Sequence, residues 1–291
     1  MDAKTNNEQL TIIIVSYNSQ EVINRCLSPL LNDQAFRFII VDNASTDNSA
    51  ERLRLRFPHA DILTLPANIG YGRAANVGLH KTTTPYALLL NPDLITTTAE
   101  IQKLLGHALQ GSANTAIWGP ATKKSDCTDE PPKSVEKISG SAMLFDMAKL
   151  NSIGYFDKNI FLFFEENDLC KRAISSGHSI QLCGDIFFDH LLGQGSSPNP
   201  AIEYMKSWHY GWSRCYYFNK HEASIVKRRP KRQYAQYHRK ALFALNSAKR
   251  LKYSAQAAGA KAFLLGEKAF LPNGFPQQGT NLGNCVERKQ R

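Results

Sequence analysis

Short apolar runs alternate with stretches of helical periodicity along the first part of the chain. Four runs predict β-strands, at Thr11–Val15, Phe38–Val41, Ile62–Leu65 and Tyr86–Leu90. Apolar residues recur at helical spacing between them, which predicts helices at Gln20–Leu31, Asp47–Phe57, Gly72–His80 and Thr98–Leu109. Strands and helices that alternate in this way predict βαβ units and a mostly parallel central sheet flanked by helices, that is, an α/β fold.

The alternation weakens after Gly111. A polar segment that contains Pro131 and Pro132 predicts a surface loop. Beyond it we expect strands at Ile138–Phe145, Ser179–Cys183 and Ile186–Phe188, and helices at Asp168–Ser176, Glu203–His221 and Gln233–Lys252. Residues beyond about 255 show no pattern that predicts an element.

Charge divides the chain into two regions. The formal net charge is +10, yet the segment between Glu222 and Glu267 contains no acidic residue and 11 of the 35 lysines and arginines. The rest of the chain is nearly neutral, with 24 basic and 25 acidic residues. This change in composition predicts a boundary near residue 200, between a first domain at 1–200 and a helical, basic region at 201–291.

Signals for targeting and for disulfides are absent from the sequence. No apolar run reaches the roughly 18 residues that span a bilayer, and the polar first residues do not have the pattern of a secretory signal peptide. The six cysteines are scattered without a Cys-x-x-Cys pair, which argues against a disulfide framework and against a zinc site. These features predict a soluble protein of a reducing cytoplasm.

Three acidic clusters each follow an apolar run. They are Asp42 with Asp47, Asp93 after Asn91 and Pro92, and Glu165 and Glu166 with Asp168. In an open α/β sheet, ligands bind in the crevice beyond the carboxyl ends of the strands. Carboxylates that several strands bring to this crevice can hold a divalent cation, a polar ligand and a proton acceptor together, so the clusters predict an active site.

The Asp42–Asp47 segment has two interpretations. Its Asp, Asn, Ser and Thr residues have the composition of a turn followed by a helix cap. Alternatively, the carboxylate of Asp42 accepts a hydrogen bond from a nucleobase imide, helped by backbone groups of Ser16 and Tyr17.

Asp93 and His190 are candidate metal ligands. A single Asp after a strand is a weak signal, but Mg²⁺ or Mn²⁺ is often held by one or two carboxylates together with phosphate oxygens and water. His190 ends the last strand predicted in this region and precedes the Gly193–Ser197 loop. A neutral imidazole in that position can serve as a further ligand.

The Glu165–Asp168 cluster is the strongest of the three. Acidic side chains stabilise the N-terminus of a helix, and Asp168 is spaced to pair with Arg172. However, the preceding run Ile160–Phe164 is strongly apolar. A carboxylate beside an apolar surface that excludes water has a raised pKa, which suits a general base.

The segment Gly70–Ala75 matches the loose Gly-x-Gly-x-x-Ala fingerprint of dinucleotide-binding proteins, and Asp93 lies at about the spacing of a ribose-binding acid. Pro66–Asn68 separate the predicted strand from these glycines, where the fingerprint needs an immediate turn. A dinucleotide site there also leaves Asp42 and the glutamates without a role. An NAD(P)-dependent oxidoreductase is therefore the weaker alternative.

Together these stretches resemble the family-2 glycosyltransferases of the GT-A fold, and within them the rhamnosyltransferase-like branch that builds bacterial surface polysaccharides such as lipopolysaccharide. The resemblance covers about residues 10–220. It rests on Ile13–Asn18, Val41–Asp47, Asn68–Gly72 with Asn76, Leu90–Asp93, Phe164–Leu169, and His190 with the following Gly/Ser loop. It implies a GT-A domain that transfers a hexose, with inversion, from a nucleoside-diphosphate-sugar to a hydroxyl group of a glycan or glycolipid.

The resemblance also implies a role for each matching residue. Those assigned to nucleotide binding are Ser16, Tyr17, Asp42, Asn68, Gly70, Arg73, Asn76 and Asn91. Asp93 and His190 would bind Mg²⁺ or Mn²⁺, although Asn91 replaces the first Asp of the family's Asp-x-Asp motif, so that the motif supplies one carboxylate instead of two. Glu166 stands where the family has its catalytic Asp, with Glu165 and Asp168 as the other candidate catalytic acids.

The donor, the acceptor and the location follow less directly. The branch alone suggests rhamnose from a dTDP donor, so UDP- and GDP-sugars stay open. The basic segment that begins at Lys227 is a solvated face, a nucleic-acid patch or an attachment to an anionic membrane. A lipid-linked acceptor favours the membrane, which predicts a peripheral location at the cytoplasmic face of the inner membrane. A third alternative is a non-catalytic binding protein, in which a degenerate transferase domain carries a basic tail.

Overall fold

The computed structural model describes residues 6–33, 35–191, 200–222, 224–225 and 229–278. Its strands are β1 (Leu10–Ser16), β2 (Arg37–Asp42), β3 (Asp61–Thr64), β4 (Tyr86–Leu90), β5 (Leu94–Ile95), β6 (Thr115–Ala121), β7 (Lys133–Ser134), β8 (Ala142–Asp146), β9 (Ser179–Phe187) and β10 (Asp189–His190). The predicted Gly193–Ser197 loop, together with Lys227 and Arg228 of the basic segment, lies outside the described residues.

Helices connect these strands and make up the C-terminal region. They are α1 (Asn6–Gln9), α2 (Gln20–Asp33), α3 (Ser49–Arg56), α4 (Tyr71–Lys81), α5 (Thr98–Gln110), α6 (Met147–Ile153), α7 (Glu165–Ser175), α8 (Pro200–His221), α9 (Pro230–Leu242) and α10 (Ser247–Leu264). A 3₁₀ turn covers Lys124–Asp126. Along the described residues, no helix combines the length and the apolarity that crossing a bilayer requires.

Contacts between Cα atoms group the described residues into two units. The first contains the residues up to Asp157 and those from Glu166 to Leu191, and the second contains Lys158–Glu165 and the residues from Pro200 onward. The predicted boundary near residue 200 does not separate out the segment 158–165, which groups with the helical unit although it lies well before residue 200 in the sequence.

The first unit is built on a mixed eight-stranded sheet in the order β3-β2-β1-β4-β8-β6-β9-β7. The strands β3, β2, β1 and β4 pair in parallel, as the βαβ pattern predicts, whereas β8 runs antiparallel to both β4 and β6. Strands β5 and β10 form a separate antiparallel pair in which His190 lies opposite Leu94. The parallel half of the sheet therefore brings the carboxyl ends of β1, β2 and β4 to one edge.

Both faces of the sheet are buried, which explains why the strands read as continuous apolar runs. Ile12 and Ile14 of β1 belong to a core that includes residues of α2 and α5. Ile13 and Val15 point to the opposite core, which includes residues of α4 and α7. On α4, a Cβ at Gly78 would lie 2.5 Å from the side chain of Ile13, so only glycine allows the helix to approach β1 this closely.

Strand β6 was not predicted. Its segment Thr115–Ala121 contains Gly119 and Pro120, residues that ordinarily argue against an interior strand. The strand nevertheless lies between β8 and β9, and its register with β9 shifts between Pro120 and Ala121, so the regular ladder is interrupted next to the residue that has no N–H to donate. The two short strands predicted at 179–183 and 186–188 are replaced by one strand, β9, over Ser179–Phe187.

The second unit contains α8, α9 and α10. The predicted helix Gln233–Lys252 is in fact two helices, because the side chain of Asn246 accepts a hydrogen bond from the backbone N–H of Lys249 and starts α10. Helices α8 and α10 are in very close contact. A Cβ at Gly211 would lie 2.1 Å from the carbonyl oxygen of Gln256, and one at Gly259 would lie 2.0 Å from that of Trp208.

Candidate active site

The ends of β1 and β2 form the first wall of the candidate site. Ser16 lies opposite Asp42 in the parallel register, and both residues are buried. Among the described residues, the hydroxyl group of Ser16 has no hydrogen-bond partner. A buried hydroxyl without a partner at the carboxyl edge of a parallel sheet fits a site that a polar ligand completes.

Asp42 shapes the turn that follows β2. Its two carboxylate oxygens accept hydrogen bonds from the backbone N–H (3.0 Å) and the hydroxyl group (2.5 Å) of Ser45. Ser45 in turn accepts a hydrogen bond from the backbone N–H of Asn18 (2.8 Å), which ties the Tyr17–Asn18 turn to the end of β2. Asp42 therefore does stabilise a turn. Each of its carboxylate oxygens also keeps a second lone pair, which could accept a hydrogen bond from a nucleobase.

An asparagine pair holds the loop between β3 and α4. The side chain of Asn43 donates to Oδ1 of Asn68 (3.0 Å) and accepts from the backbone N–H of Ile69 (2.9 Å). Oδ1 of Asn68 also accepts from the N–H of Gly70, which has φ of 89° just before α4. This positive φ explains why glycine occupies position 70, independently of any dinucleotide fingerprint.

The geometry gives the dinucleotide alternative no support. The glycines follow β3, which is an edge strand of the sheet, and a loop separates Thr64 from the start of α4. The fingerprint instead requires a tight turn directly from strand to helix.

Two of the predicted nucleotide-binding residues have other surroundings. The amide group of Asn76 donates to the carbonyl of Phe156 (2.9 Å) and accepts from its backbone N–H (3.0 Å), so this side chain fixes a loop. Arg73 is half-buried: burial lowers its pKa, and the nearby charge of Asp157 partly offsets that effect. Asn76 therefore has a structural role in this loop, and Arg73 stays a candidate ligand contact.

Asp93 and His190 form the candidate metal pair. Nε2 of His190 lies 3.2 Å from Oδ1 of Asp93, and the backbone N–H of Leu191 donates to the carbonyl of Asp93. Burial raises the pKa of Asp93, but the hydrogen bond and the charge of His190 outweigh burial, so the pKa lies below its ordinary value. No group of three or more potential metal ligands occurs among the described residues.

A carboxylate and an imidazole nevertheless fit a Mg²⁺ or Mn²⁺ site of the kind that phosphate oxygens and water complete. The donor set is therefore compatible with the predicted cation but does not form a closed cage of protein ligands.

Glu166 lies in the first turn of α7 and is half-buried. Burial raises the pKa of its carboxyl group, an effect that its backbone hydrogen bond and the charge of Lys137 reduce but do not cancel. Directly before α7, Phe163 and Phe164 both have positive φ, at 68° and 70°. Such strain in bulky residues is typical of functional segments.

Tyr71 and Gly140 connect the candidate base to the loop after β4. The Tyr71 hydroxyl donates to Oδ1 of Asn91 (2.8 Å) and lies 3.2 Å from the carbonyl oxygen of Gly140. At Gly140, a Cβ would lie 3.2 Å from both Cβ and Cγ of Glu166, so the glycine leaves room for that side chain. No local pattern marks Tyr71 or Gly140, because their contacts join segments that are 20 to 69 residues apart in the sequence.

Asp168 does not have the surroundings of a catalytic acid. Its side chain is completely buried and accepts a hydrogen bond from Nε of Arg172 (2.9 Å), as the helical spacing predicts. The remaining donors of Arg172 bind the carbonyls of Ile153, Gly154 and Tyr155. A carboxylate without solvent access that orients this guanidinium is structural, so the catalytic assignment of Asp168 is withdrawn.

Comparison with known proteins identifies the family of this chain. A family model described as glycosyl transferase family 2 matches residues 11–170. The chain belongs to glycosyl transferase family 2. The matched residues run from the first residues of β1 into α7, and so include Ser16, Asp42, Asp93 and Glu166.

Relatives within the family are distant. The low-salt glycan biosynthesis hexosyltransferase Agl10 of Haloferax volcanii is 27% identical over 207 residues, which cover 60% of this chain and 65% of that protein. The N-acetylglucosaminyl-diphospho-decaprenol L-rhamnosyltransferase of Mycobacterium tuberculosis is 22% identical over 219 residues, covering 58% of this chain and 71% of that enzyme. The chain thus spans slightly less than two thirds of the length of the hexosyltransferase.

A solved glycosyltransferase structure has the same fold. The mannosyltransferase PcManGT from Pyrobaculum calidifontis, in complex with GDP-Man and Mn²⁺, superposes with a TM-score of 0.58 at 13% sequence identity and covers 90% of each chain. The predicted α/β GT-A fold is confirmed.

The buried ion pair of α7 generates a stability prediction. Asp168→Ala leaves the guanidinium of Arg172 without its carboxylate, so we expect the free energy of unfolding to fall by about 3 kcal/mol. Glu51→Ala removes the exposed partner of Arg54, a pair 3.6 Å apart, and is the matched control, with an expected loss below about 1 kcal/mol. Chemical denaturation of both variants measures the difference, and equal losses would contradict the structural assignment.

Proposed function

We propose that this protein is an inverting glycosyltransferase, which moves a sugar from a nucleoside-diphosphate-sugar to a hydroxyl group of a glycan or glycolipid acceptor. One observation carries the proposal. The Tyr71 hydroxyl binds Asn91 beside the candidate metal pair and approaches Gly140, on which Glu166 packs. Groups suited to holding a diphosphate and to accepting a proton are therefore supported by one network, as a transfer reaction between two bound substrates requires.

The donor site is assigned to the edge of the parallel strands. Ser16, Tyr17 and Asp42 would hold the base and ribose, with Asn68, Gly70 and Arg73 on the adjoining loop and helix and Asn91 after β4. The similar proteins support a nucleotide-sugar donor but differ in the sugar: the Pyrobaculum structure contains GDP-Man, and the mycobacterial relative is named a rhamnosyltransferase. We retain dTDP-rhamnose as the first donor to test, with UDP- and GDP-sugars as the alternatives.

A divalent cation would be held by Asp93 and His190. Mg²⁺ or Mn²⁺ bound there supplies positive charge to the leaving diphosphate. The pairing with His190 keeps Asp93 ionised, since the pKa of the carboxyl group lies below its ordinary value. Asn91 contributes a neutral amide where a second carboxylate would add charge, and Tyr71 fixes its orientation.

Glu166 is the proposed general base. It takes the proton from the acceptor hydroxyl as the acceptor oxygen attacks the anomeric carbon, from the side opposite the departing nucleoside diphosphate. Its raised pKa makes it a better proton acceptor than an ordinary glutamate, provided that it is ionised. The attack inverts the configuration, so a product with the anomeric configuration of the donor would contradict this mechanism.

Glu166→Gln separates catalysis from binding. We expect turnover to fall roughly 10²- to 10⁴-fold because the amide cannot accept the proton, while donor affinity is unchanged because Glu166 does not hold the nucleotide. The wild-type rate should fall as the pH drops through the raised pKa, since protonation removes the base. Glu165→Gln is the matched control in the same helical turn. The assignment would be contradicted if Glu165→Gln lost as much turnover as Glu166→Gln. It would also be contradicted if Glu166→Gln lost donor affinity together with turnover.

The helical unit is proposed to attach to an anionic membrane surface, where a lipid-linked acceptor would lie. At the end of α9 and in the turn before α10, three apolar side chains are 66%, 78% and 100% exposed, namely Leu242, Phe243 and Leu245. Lysines and arginines flank this turn on both helices, and the segment between Glu222 and Glu267 has no acidic residue. An exposed apolar tip between cationic helices fits insertion into the interface of anionic lipids.

Vesicle co-sedimentation tests this attachment. The triple variant Leu242→Ser, Phe243→Ser and Leu245→Ser should lower partitioning onto anionic vesicles by roughly tenfold for each side chain that inserts. Leu55→Ser, at a leucine of the first unit that is 77% exposed, is the control and should bind like the wild type. Partitioning that does not depend on anionic lipid, or equal binding by the triple variant, would contradict attachment.

A further inference from the structure

A large cavity lies within the helical unit. It is lined by residues of α8, α9 and α10 together with Phe163, and its volume is about 850 Å³. This volume falls in the range of roughly 300–1,000 Å³ that is usual for sites of small organic ligands. None of the residues assigned to the proposed transfer reaction lines it.

The lining of the cavity is strongly cationic. It includes Lys206, Arg214, Lys240, Lys249 and Lys252, against the single carboxylate of Glu203. That carboxylate lies 3.4 Å from Nζ of Lys206. Among the described residues, no carboxylate lies within 4.0 Å of the other four cations. The cavity therefore holds an excess of positive charge that an anionic ligand would neutralise.

Buried polar atoms at the wall of the cavity also favour an anionic ligand. Tyr237 is 4% exposed, and its hydroxyl group interacts with the Arg214 side chain, although outside ordinary hydrogen-bond geometry. This contact leaves the hydroxyl hydrogen of Tyr237 and Nε–H of Arg214 without a well-placed acceptor among the described residues. Buried donors are normally satisfied. A hydroxyl and a guanidinium left in this state beside a cavity fit a ligand that accepts hydrogen bonds from both.

Aromatic rings give the cavity an apolar wall. Phe163 packs edge-on against Tyr210, with ring centroids 5.5 Å apart. On the opposite helices, Nζ of Lys240 lies 5.4 Å from the ring centroid of Tyr253. A plain solvated face of lysines explains neither the concave shape nor the buried Tyr237 hydroxyl. Cations beside rings instead suit a ligand with both an anionic and an apolar or planar part.

We propose that this cavity binds a phosphate-bearing ligand, either a free phosphate or diphosphate compound or the phosphorylated headgroup of a lipid. Arg214, Lys240 and Lys252 bind the phosphate oxygens through charge-assisted hydrogen bonds, and the Tyr237 hydroxyl donates a further one. This inference goes beyond the proposed function and does not depend on it, because the site contains no residue of the transfer reaction.

Calorimetric titration of the full chain with inorganic pyrophosphate and with a short-chain prenyl diphosphate tests the inference. The buffer contains a chelator and no nucleotide or vesicles, so neither a cation at Asp93 nor a membrane contributes. We expect binding of both probes, weakened about tenfold in each of Lys240→Gln and Lys252→Gln, since a hydrogen bond to a charged group is worth about this much. Tyr237→Phe should weaken binding as well while retaining the ring.

The control is the double variant Lys231→Gln and Arg232→Gln, which removes two cations of α9 that do not line the cavity. It should bind like the wild type, and Asp93→Ala should also leave binding unchanged. Tighter binding of the prenyl compound than of pyrophosphate identifies a lipid headgroup, and equal binding identifies a free phosphate compound. No binding, equal weakening in the control, or loss of binding in Asp93→Ala would overturn the inference, and thermal melting verifies that each variant is folded.

Discussion

Parallel pairing of β2, β1 and β4 is the constraint on which the candidate site depends. Because these strands are buried on both faces and run in one direction, their carboxyl ends lie at a single edge, where Ser16 meets Asp42 and β4 leads into Asn91. The backbone then has to leave this edge through turns that cannot form sheet hydrogen bonds. Side chains of Asp42, Asn43 and Asn68 supply those bonds instead. The polar residues of the edge thus stabilise the turns and present groups to a ligand at the same time.

The acidic residues of α7 likewise divide between a structural role and a chemical one. The carboxylate of Asp168 is buried and accepts a hydrogen bond from Arg172. The same guanidinium donates further hydrogen bonds to the backbone carbonyls of residues 153–155. Two residues earlier, Glu166 keeps partial exposure and a raised pKa. One turn of α7 therefore contains both a structural carboxylate and a carboxylate suited to proton transfer, and the difference is the direction in which each side chain leaves the helix.

Local signals in the sequence were sufficient for the parallel strands and for the positions of the acidic clusters, because a buried parallel strand is a plain apolar run and its end is marked by polar turn residues. They were insufficient where tertiary contacts decide. Gly119 and Pro120 argue against a strand, and β6 forms because it pairs with both β8 and β9. The cap at Asn246 lies within a helical pattern that continues on both sides of it, so the pattern alone does not mark the break. Tyr71, Gly140 and the loop-fixing role of Asn76 depend on contacts between segments far apart in the sequence, which one sequence does not reveal.

The central claim is that the edge of the parallel strands, with Asp93, binds a nucleotide-sugar donor through a divalent cation. Calorimetric titration with dTDP, UDP and GDP, with and without Mn²⁺, on the wild type and on Asp93→Ala tests it most directly. The account predicts that one nucleotide binds, and that its affinity falls both without Mn²⁺ and in the variant. Absence of binding by all three nucleotides under every condition would contradict it.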